Sequence, residues 1–575
     1  MKDRLWFIFK VLVTVLMLLN ITNIKCESLF VFLFLIFIFL FYRNSSAFIK
    51  ECGKKANIYR LFSFLISISQ VLGSIIYKFQ FSRDVSVARE FFTVKSFINV
   101  FGLYFLIFTL LTRYVPELLK INVLSNKKKY SNLKLFIISL IIILMCWIPY
   151  FLTLYPGVLT ADSISQFSSF VNGFNIVSDH HPVIHTVFIG MIYNVGFFMF
   201  HNVNLATGFV SITQMIIMAS IFSYFLMWLY KRNVSRTILI LILLYFSLSP
   251  IHGYYSVTMW KDVLFGGFFL LFTLNIIDLD QSNSFDIKQI VKFILLSLLI
   301  LFFRNNALYV YIFCIPFFIY LYKNKLFNIV LCICISLLCF FIVKGPVFRY
   351  FNIKKSSSSE YIAIPLQQVG RMSYKYVDFS EEELDIINEL IPVDAMSNLY
   401  NPMTVDFIKF NSLYNTSVFD ANKTKYFKLW INLVLKHPSI AIESYLNSTL
   451  GYWYSGVQFW AVGDSIDKND IGIYSAPKGG KYINRYVTEI KSYDIPIVSI
   501  QWSIGLCFIL IAFSCLLIII KRQMRFLIYY VPILGIWLTL MVASPVFAEF
   551  RYVYCAYTCF PLFLLIPFMK FKKVS

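Results

Sequence analysis

The chain has 575 residues, of which 59% are hydrophobic and only 14% are charged, and this balance excludes an ordinary soluble domain, which is nearer half apolar and a quarter charged. Many apolar runs approach the roughly 20 residues that cross a bilayer, so we predict an all-α polytopic membrane protein surrounded by lipid. The formal net charge of +22 does not indicate a nucleic-acid partner, because Lys and Arg concentrate in the cytoplasmic loops of membrane proteins.

Four apolar segments open the chain and predict an N-terminal four-helix membrane region over residues 1–134. The loops after the second and the fourth segment carry five and six Lys or Arg, which is typical of cytoplasmic loops. A fifth apolar segment then runs outward and places the loop 155–185 on the extracytoplasmic side. The five segments are roughly Leu5–Ile24, Leu29–Tyr42, Leu61–Tyr77, Phe97–Leu111 and Leu135–Leu154.

The next apolar stretch, Val183–Phe200, does not fit a simple span. If it crossed the membrane, the following segment, Leu205–Leu229, would end outside and carry Lys231 and Arg232 there. Basic residues at that position would violate the charge bias of membrane proteins. We therefore interpret Val183–Phe200 as an outer-leaflet or re-entrant helix.

If Val183–Phe200 does not cross the membrane, the charged loops indicate on which side of the membrane each later segment lies. We predict a membrane core at 135–344, a large extracytoplasmic α-rich domain at 345–496, and three closing transmembrane helices at 497–575. The basic tail at 570–573 then lies in the cytoplasm, as does the N-terminus. The total is about 14 transmembrane helices in the cell membrane.

The loop 155–185 is the first candidate for chemistry. Asp162 and Gln166 are four residues apart, so a short helix after the Pro156-Gly157 turn would put both on one face. A carboxylate that faces a cavity can accept a proton from an incoming hydroxyl group. The alternative for Asp162 is a helix N-cap or a solvated surface residue.

Histidines follow in the same loop. His181 and His185 are four apart and could form a two-histidine metal face, although such pairs more often form local hydrogen bonds. A divalent metal held by Asp162, Asp179, His181 and His185 is an alternative that the sequence allows but does not require. The cofactor therefore stays open.

Three cations are predicted at outer membrane boundaries: Lys261, Arg304 and Arg551. The alternative is that these side chains have no ligand. Lys and Arg at a membrane interface often extend their charged ends to water, and Lys261 could pair with its neighbour Asp262. Three separate outer cations nevertheless run against the usual charge bias, and they favour an anionic ligand. A lipid-linked phosphate fits, because it lies at that depth and accepts charge-assisted hydrogen bonds.

Several short motifs in this order resemble a known family over roughly Leu135 to the C-terminus. The chain is similar to the GT-C class of integral-membrane glycosyltransferases, which includes protein O-mannosyltransferases and bacterial aminoarabinose transferases. More closely, it resembles the DUF6020-type family of Gram-positive bacteria. The motifs are Tyr155-Pro156-Gly157, Asp162, Gln166, Ser178-Asp179-His180-His181-Pro182, Trp260-Lys261-Asp262, Arg304-Asn305-Asn306, Ile364-Pro365-Leu366-Gln367-Gln368 and Arg551-Tyr552.

The resemblance implies a GT-C-like helical bundle and an enzyme that transfers a sugar, with inversion, from a polyprenyl-phosphate-linked donor to an extracytoplasmic acceptor. A cell-wall polysaccharide or a teichoic acid would be such an acceptor. The catalytic Asp of the GT-C loop corresponds to Asp162. Many members carry a second acid beside it, but residue 163 is Ser here, so Asp179 is the candidate second carboxylate.

The other site residues that we predict fall into two groups. Lys261, Arg304 and Arg551 would bind the donor phosphate. The acceptor or the sugar would contact Gln166, His180, His181, Asn305, Gln367 and Gln368.

Two other functions share these features. A transporter or flippase of lipid-linked saccharides would also be polytopic and would bind lipid phosphate, but transporters often show internal repeats and ionisable residues near the middle of the membrane. Here the polar clusters gather at one membrane face and no repeat is evident. A polysaccharide polymerase would share the large outer loop. The sequence leaves the sugar, the acceptor and the oligomeric state open.

Overall fold

The computed structural model of the chain describes residues 2–24, 29–125, 131–171, 173–282, 284–355, 362–544 and 546–571. Within these ranges the chain is helical, and isolated β-bridges take the place of strands. Ten of the described helices are long and apolar enough to cross a membrane, or eleven if one bent pair is a single span. This confirms a multi-pass helical membrane protein, and the count of 14 stays a prediction. The lysines at 127–129 and 572–573, used to orient the spans, lie outside the described residues.

The first three helices of the N-terminal region pack around α5, the longest helix of that region. Apolar side chains of the first two helices, among them Val15 and Ile38, contact Phe105 of α5. The third helix packs on the other side of α5, and both reach the C-terminal part of the chain through Leu517. The bounds are α1 Lys2–Thr22, α2 Leu29–Glu51, α3 Lys55–Phe79, α4 Val87–Phe91 and α5 Val94–Lys120.

The membrane core continues from 132 to 350. Its bounds are α6 Asn132–Thr153, α7 Ala161–Val171, α8 Val183–Phe200, α9 Val203–Lys231, α10 Arg236–Leu248, α11 Pro250–Ser256, α12 Lys261–Gln281, α13 Ile287–Phe303, α14 Ala307–Leu321, α15 Leu326–Ile342 and α16 Phe348–Tyr350. A π-helical turn, Val343–Val347, joins the last two. The short α7 confirms the helix predicted after the Pro156-Gly157 turn.

Helix α12 lies at the centre of the bundle and is the most buried of the candidate spans. Between its charged ends it is apolar on nearly all sides, and such a stretch has no face that needs water. Two adjacent glycines allow its neighbours to approach closely. A Cβ at Gly266 would lie 2.8 Å from Tyr554, and one at Gly267 would lie 2.8 Å from Ile221 and from Met218. The packing of α9 and of the C-terminal helices on α12 therefore depends on these two positions.

The start of α8 and the third turn of α9 lie at the same end of the bundle. Near the start of α8, the ring of His185 lies 5.6 Å from that of Phe303, where α13 ends. Shortly after the end of α8, Ser211 of α9 donates a hydrogen bond to the carbonyl of Pro156, just beyond α6. Although α8 has the length of a span, this arrangement supports the interpretation that the chain does not cross the membrane there.

The segment predicted as one extracytoplasmic domain, 345–496, has two parts with different packing. The first part, up to Thr449, has an apolar core of its own, which includes Leu366, Ile408 and Leu433. In the second part, Tyr452 and Val487 belong to the core of the bundle. The helices are α17 Ala363–Tyr374, α18 Glu381–Leu390, α19 Val393–Leu399, α20 Asp406–Lys409, α21 Thr416–Ala421, α22 Lys423–Lys436, α23 Pro438–Thr449 and α24 Lys481–Ile490.

Three helices follow and complete the bundle. They are α25 Ile504–Ile520, α26 Val531–Val542 and α27 Tyr554–Leu565. The last of these packs on α12, where the hydroxyl of Thr558 donates to the carbonyl of Gly266 at 2.8 Å. The predicted division into an extracytoplasmic domain and three closing transmembrane helices stays a prediction.

A buried guanidinium joins the inserted part to the N-terminal region. Arg371 of α17 is fully buried and forms an ion pair with Glu443 of α23. It also donates to the carbonyls of Gln80, at 2.7 Å, and Ser82, at 3.3 Å, in the loop between α3 and α4. These contacts satisfy a charge that would otherwise be costly to bury.

Substitution Arg371→Met should destabilise the protein by about 3 kcal/mol, because it removes one of the two cations that pair with the buried Glu443, the other being Lys375, and leaves two carbonyls without their donor. The apparent midpoint of thermal unfolding in detergent measures this loss. The matched control is Lys423→Met, which removes an exposed ion pair with Asp420 and should cost less than about 1 kcal/mol. Equal midpoints for the two variants would show that the Arg371 contacts do not stabilise the fold.

Candidate functional site

The loop that carries Asp162 is fixed against the start of α12. The amide of Val158 donates to the carbonyl of Val257 at 2.9 Å, and the amide of Met259 donates to the carbonyl of Val158 at 3.0 Å. The hydroxyl of Ser163 donates to the carbonyl of Met259 at 2.9 Å. These bonds hold the first turn of α7 beside the first turn of α12, and they bring Asp162 close to Lys261.

Asp162 contacts two of the predicted cations. The Nη1 atom of Arg551 lies 2.7 Å from its Oδ2 atom, and the Nζ atom of Lys261 lies 3.8 Å from the same oxygen. Burial alone would raise the pKa of Asp162, but the charges of Arg551 and Lys261 outweigh it and hold this pKa well below its usual range. The side chain remains 33% exposed. Asp162 is therefore an accessible, ionised carboxylate between two cations.

Arg551 also has a second carboxylate beside it. Its Nε atom lies 3.3 Å from the Oε1 atom of Glu549, and its guanidinium lies 5.5 Å from the centre of the Trp260 ring. Glu549 is buried. Burial, together with the nearby charges of Asp262 and Asp162, raises the pKa of Glu549 to about 7 against the opposing charge of Arg551. The sequence analysis did not predict this role, although Glu549 stands two residues before Arg551.

Arg304 lies in a buried layer beneath this pair. Its Nη1 atom donates to the carbonyl of Tyr552 at 2.7 Å and lies 3.3 Å from the Oδ1 atom of Asp262. Arg304 is 5% exposed and Asp262 is 1% exposed. Of the three predicted phosphate ligands, the structure thus brings Lys261 and Arg551 to Asp162. It places Arg304 where it supports the segment around Arg551.

Asp179 belongs to a separate group, with a cation that the sequence analysis missed. The Nζ atom of Lys344, in the π-helical turn, lies 3.0 Å from the Oδ2 atom of Asp179 and 3.0 Å from the Oδ1 atom of Asn305. The amide of Asn305 donates to the carbonyls of Asp179 and His180 at 2.9 and 3.3 Å. These contacts fix the histidine loop to the ends of α13 and α15.

The histidines have different surroundings. His181 lies with its Nδ1 atom 3.5 Å from the Nζ atom of Lys261. Burial and the charge of Lys261 lower the pKa of His181 to about 3, so its ring is neutral near pH 7. Gln166 is buried and donates to the hydroxyl of Thr186 at 2.7 Å, with the Nδ1 atom of His185 at 3.0 Å. Gln166 therefore holds α7 onto α8.

The structure does not assemble the predicted metal ligands, and it does not bring the two predicted glutamines to the Asp162 group. Within the described ranges no cluster of three or more His, Cys, Asp or Glu could hold a metal ion, so Asp162, Asp179, His181 and His185 do not form a common site. Gln367 and Gln368 are buried in the inserted part. Gln367 donates to the carbonyl of Asn401 at 2.9 Å, and Gln368 donates to that of Ala441 at 3.0 Å. Both amides hold α17 in place rather than facing the Asp162 group.

Lys261 and Arg551 are placed so that another anion could replace the carboxylate of Asp162 as their partner. The side chains of Lys261 and Arg551 are 19% and 15% exposed and share the carboxylate of Asp162. Charge-assisted donors at such a partly buried place bind anions more strongly than they would in water. A second anion that arrived from solvent or lipid would compete with Asp162 for both cations. The carboxylate would then be free to act on a neighbouring group.

Comparison with known proteins supports one part of the resemblance. The model of a "Family of unknown function (DUF6020)" matches residues 174–574, which is more than half of the chain. No curated protein and no solved structure matches the chain. The matched segment contains Lys261, Arg304 and Arg551 and begins after Asp162. The likeness to GT-C glycosyltransferases stays a prediction.

Substitution Glu549→Gln should flatten the pH dependence of stability. The folded pKa of about 7 lies above the ordinary glutamate value of 4.5, so the stability that Glu549 contributes is complete below about pH 4.5 and is lost as pH rises through 7. The wild type should lose up to about 3 kcal/mol relative to the Gln variant between pH 5 and 8. Apparent unfolding midpoints of both proteins across that range test this. Parallel curves would contradict it.

Substitution Lys344→Met should loosen the histidine loop, because it removes the ammonium group that contacts both Asp179 and Asn305. We expect amide hydrogen exchange in residues 173–182 to become about 10 to 100 times faster, as for the loss of one charged hydrogen bond. The control is Lys354→Met. Lys354 contacts this loop through its backbone and its side chain is exposed. Equal exchange in the two variants would show that Lys344 does not hold the loop.

Proposed function

The chain belongs to the DUF6020 family, whose function is unknown, and from its site we propose a membrane glycosyltransferase that uses a polyprenyl-phosphate-linked sugar as donor. The observation that carries the proposal is the accessible Asp162 carboxylate in contact with Arg551 and Lys261. Transfer from a lipid phosphate to a hydroxyl group needs a base for the hydroxyl and cations for the phosphate. Both occur here within one cluster at an end of the helical bundle.

The donor phosphate would bind to Arg551 and Lys261. The guanidinium has several donors in a fixed plane, which suits phosphate oxygens, and the ammonium adds a point charge. The Trp260 ring, 5.5 Å from the guanidinium, limits the access of water to it. Arg304 and Asp262 would act as positioning residues from the buried layer below.

Arrival of the donor would also activate the base. While Asp162 is paired with Arg551 and Lys261, its lowered pKa makes it a weak base. Once the phosphate takes over these cations, the pKa of the carboxylate rises and Asp162 can accept the proton of the acceptor hydroxyl. Binding of the donor would thus precede deprotonation of the acceptor.

The chemical step is an inverting displacement. The acceptor oxygen forms a bond to the anomeric carbon while the bond from that carbon to the phosphate oxygen breaks. The electron pair leaves with the polyprenyl phosphate, whose negative charge Arg551 and Lys261 stabilise. The proton of the hydroxyl passes to Asp162. The neutral His181, beside Lys261, is placed to form a hydrogen bond with a sugar hydroxyl.

The acceptor and the orientation follow from the sequence predictions. We propose that the Asp162 end of the bundle is extracytoplasmic and that the acceptor is an envelope glycan such as a wall polysaccharide or a teichoic acid. Asp179, paired with Lys344, would position the histidine loop rather than touch the reacting atoms. No metal enters this scheme.

Substitution Asp162→Asn should lower the rate of sugar transfer by at least about 100-fold, because general-base assistance contributes roughly 10²- to 10⁴-fold. The measurement compares the envelope glycans and the lipid-linked sugars of cells that carry the wild type, the variant or a deletion of the gene. We expect the deletion and Asp162→Asn to lose the same sugar and to accumulate its lipid-linked donor. The control is Asp470→Asn, at an exposed carboxylate of the inserted part.

One outcome would favour a transporter instead. If the deletion changes glycan export while Asp162→Asn equals the wild type, the carboxylate is not catalytic and movement of a lipid-linked saccharide becomes the better explanation. Protein levels in the membrane must match between variants, so that loss of the sugar reports chemistry rather than loss of protein. The Asp470→Asn control separates a specific effect from a general change of charge.

A further inference from the structure

A lateral groove opens between helices at the end of the bundle opposite Asp162. Its walls are formed by α9 and α13, with one residue each from α6 and α12, and its volume is about 840 Å³. Side chains such as Ile221, Leu271, Leu295 and Leu299 line most of it. Because α13 ends beside the site at Phe303, the start of α13 marks the far end of the bundle.

Water would not fill this groove. Its lining is almost entirely apolar, and it faces the side of a bundle whose surface is covered by lipid. An apolar gap at this depth has acyl chains as its neighbours, and a chain that enters it gains contacts with the side chains that line it. The groove therefore takes an apolar chain from the bilayer.

Two lysines give one end of the groove a positive charge. Lys288 and Lys292 lie on the first two turns of α13 and line the groove there. The Nζ atom of Lys292 is 3.7 Å from the carboxylate of Asp278, which also binds Arg232 at 2.5 Å. The single carboxylate of Asp278 is thus shared by two cations, and Lys288 adds a third, while one further carboxylate, the N-cap Asp286 of α13, lies nearby in the chain. This surplus complements an anionic headgroup.

We propose that this groove binds an anionic glycerophospholipid, with one acyl chain along α9 and α13 and its phosphate at Lys288 and Lys292. Basic pockets between transmembrane helices are a common way to hold such headgroups. This proposal does not depend on the function of the Asp162 group.

The length of the groove decides which lipid it takes. Its lining residues on α13 run from Ile287 to Leu299, which corresponds to about 18 Å of helix. One leaflet contributes about half of the roughly 30 Å hydrocarbon core. The groove thus matches an acyl chain of one leaflet and is too short for a polyprenyl chain.

The test uses the purified full-length chain in detergent with two photoreactive lipids, phosphatidylglycerol and phosphatidylcholine, that carry the same acyl chains. Crosslinked peptides are identified by mass spectrometry. We expect phosphatidylglycerol to label α9 near Ser220–Tyr224 and α13 within 287–299 in preference to phosphatidylcholine. Substitution Lys288→Ala together with Lys292→Ala should lower this labelling by about 30-fold, since each lysine near a headgroup contributes roughly fivefold to affinity.

Three controls keep the result decisive. The exposed pair Lys54→Ala with Lys55→Ala removes two charges outside the groove and should leave the labelling unchanged. Leu295→Trp should block labelling by both lipids, because the larger ring occupies the groove. Residual labelling by phosphatidylcholine in the double lysine variant shows that the groove is still folded.

Four outcomes would overturn the proposal. Equal labelling by the two lipids would mean that the groove does not select charge. Unchanged labelling after removal of Lys288 and Lys292 would exclude them as headgroup ligands. Equal loss in the Lys54 and Lys55 variant would reduce the effect to overall charge. Stronger competition by a polyprenyl phosphate than by unlabelled phosphatidylglycerol would assign the groove to a different lipid.

Discussion

The contact between Arg551 and Asp162 joins parts of the chain that are 389 residues apart in sequence. It ties the first turn of α7 to the start of the last helical segment, and Glu549 and Trp260 surround the same guanidinium. A charge in a low-dielectric interior must be paired, so the position of each of these groups limits the others. The site is therefore a consequence of how the bundle closes, rather than a property of one loop.

The same constraint operates throughout the molecule. At the opposite end of α12, Asp280 accepts hydrogen bonds from Arg525 and Tyr529, which joins α12 to the start of α26. In the inserted part, Arg371 and Glu443 pair in a fully buried position. Charged residues are scarce in this chain, and several of those that are buried connect elements that are distant in sequence. The apolar helices supply packing, while the ion pairs specify which helix ends meet.

The sequence was sufficient for features that depend on local spacing and on charge bias. The helix with Asp162 and Gln166 followed from a turn and a four-residue spacing, and the cations at the ends of α12 and α13 followed from membrane topology. The separation of Asp179 from Asp162 did not, because it depends on Lys344, which the sequence places at a domain boundary. The burial of Gln367 and Glu549 likewise arises from tertiary packing, which no local pattern records.

The hydrogen bond from Arg371 to the carbonyl of Gln80 makes the stability of the inserted part depend on the N-terminal helices. The segment that matches the family model begins at residue 174, yet a fully buried cation inside it takes an acceptor from the loop between α3 and α4. A shortened protein that starts at the family boundary would leave that guanidinium short of acceptors and would expose apolar faces of α25. The first five helices thus serve as a built-in scaffold for the remainder of this chain.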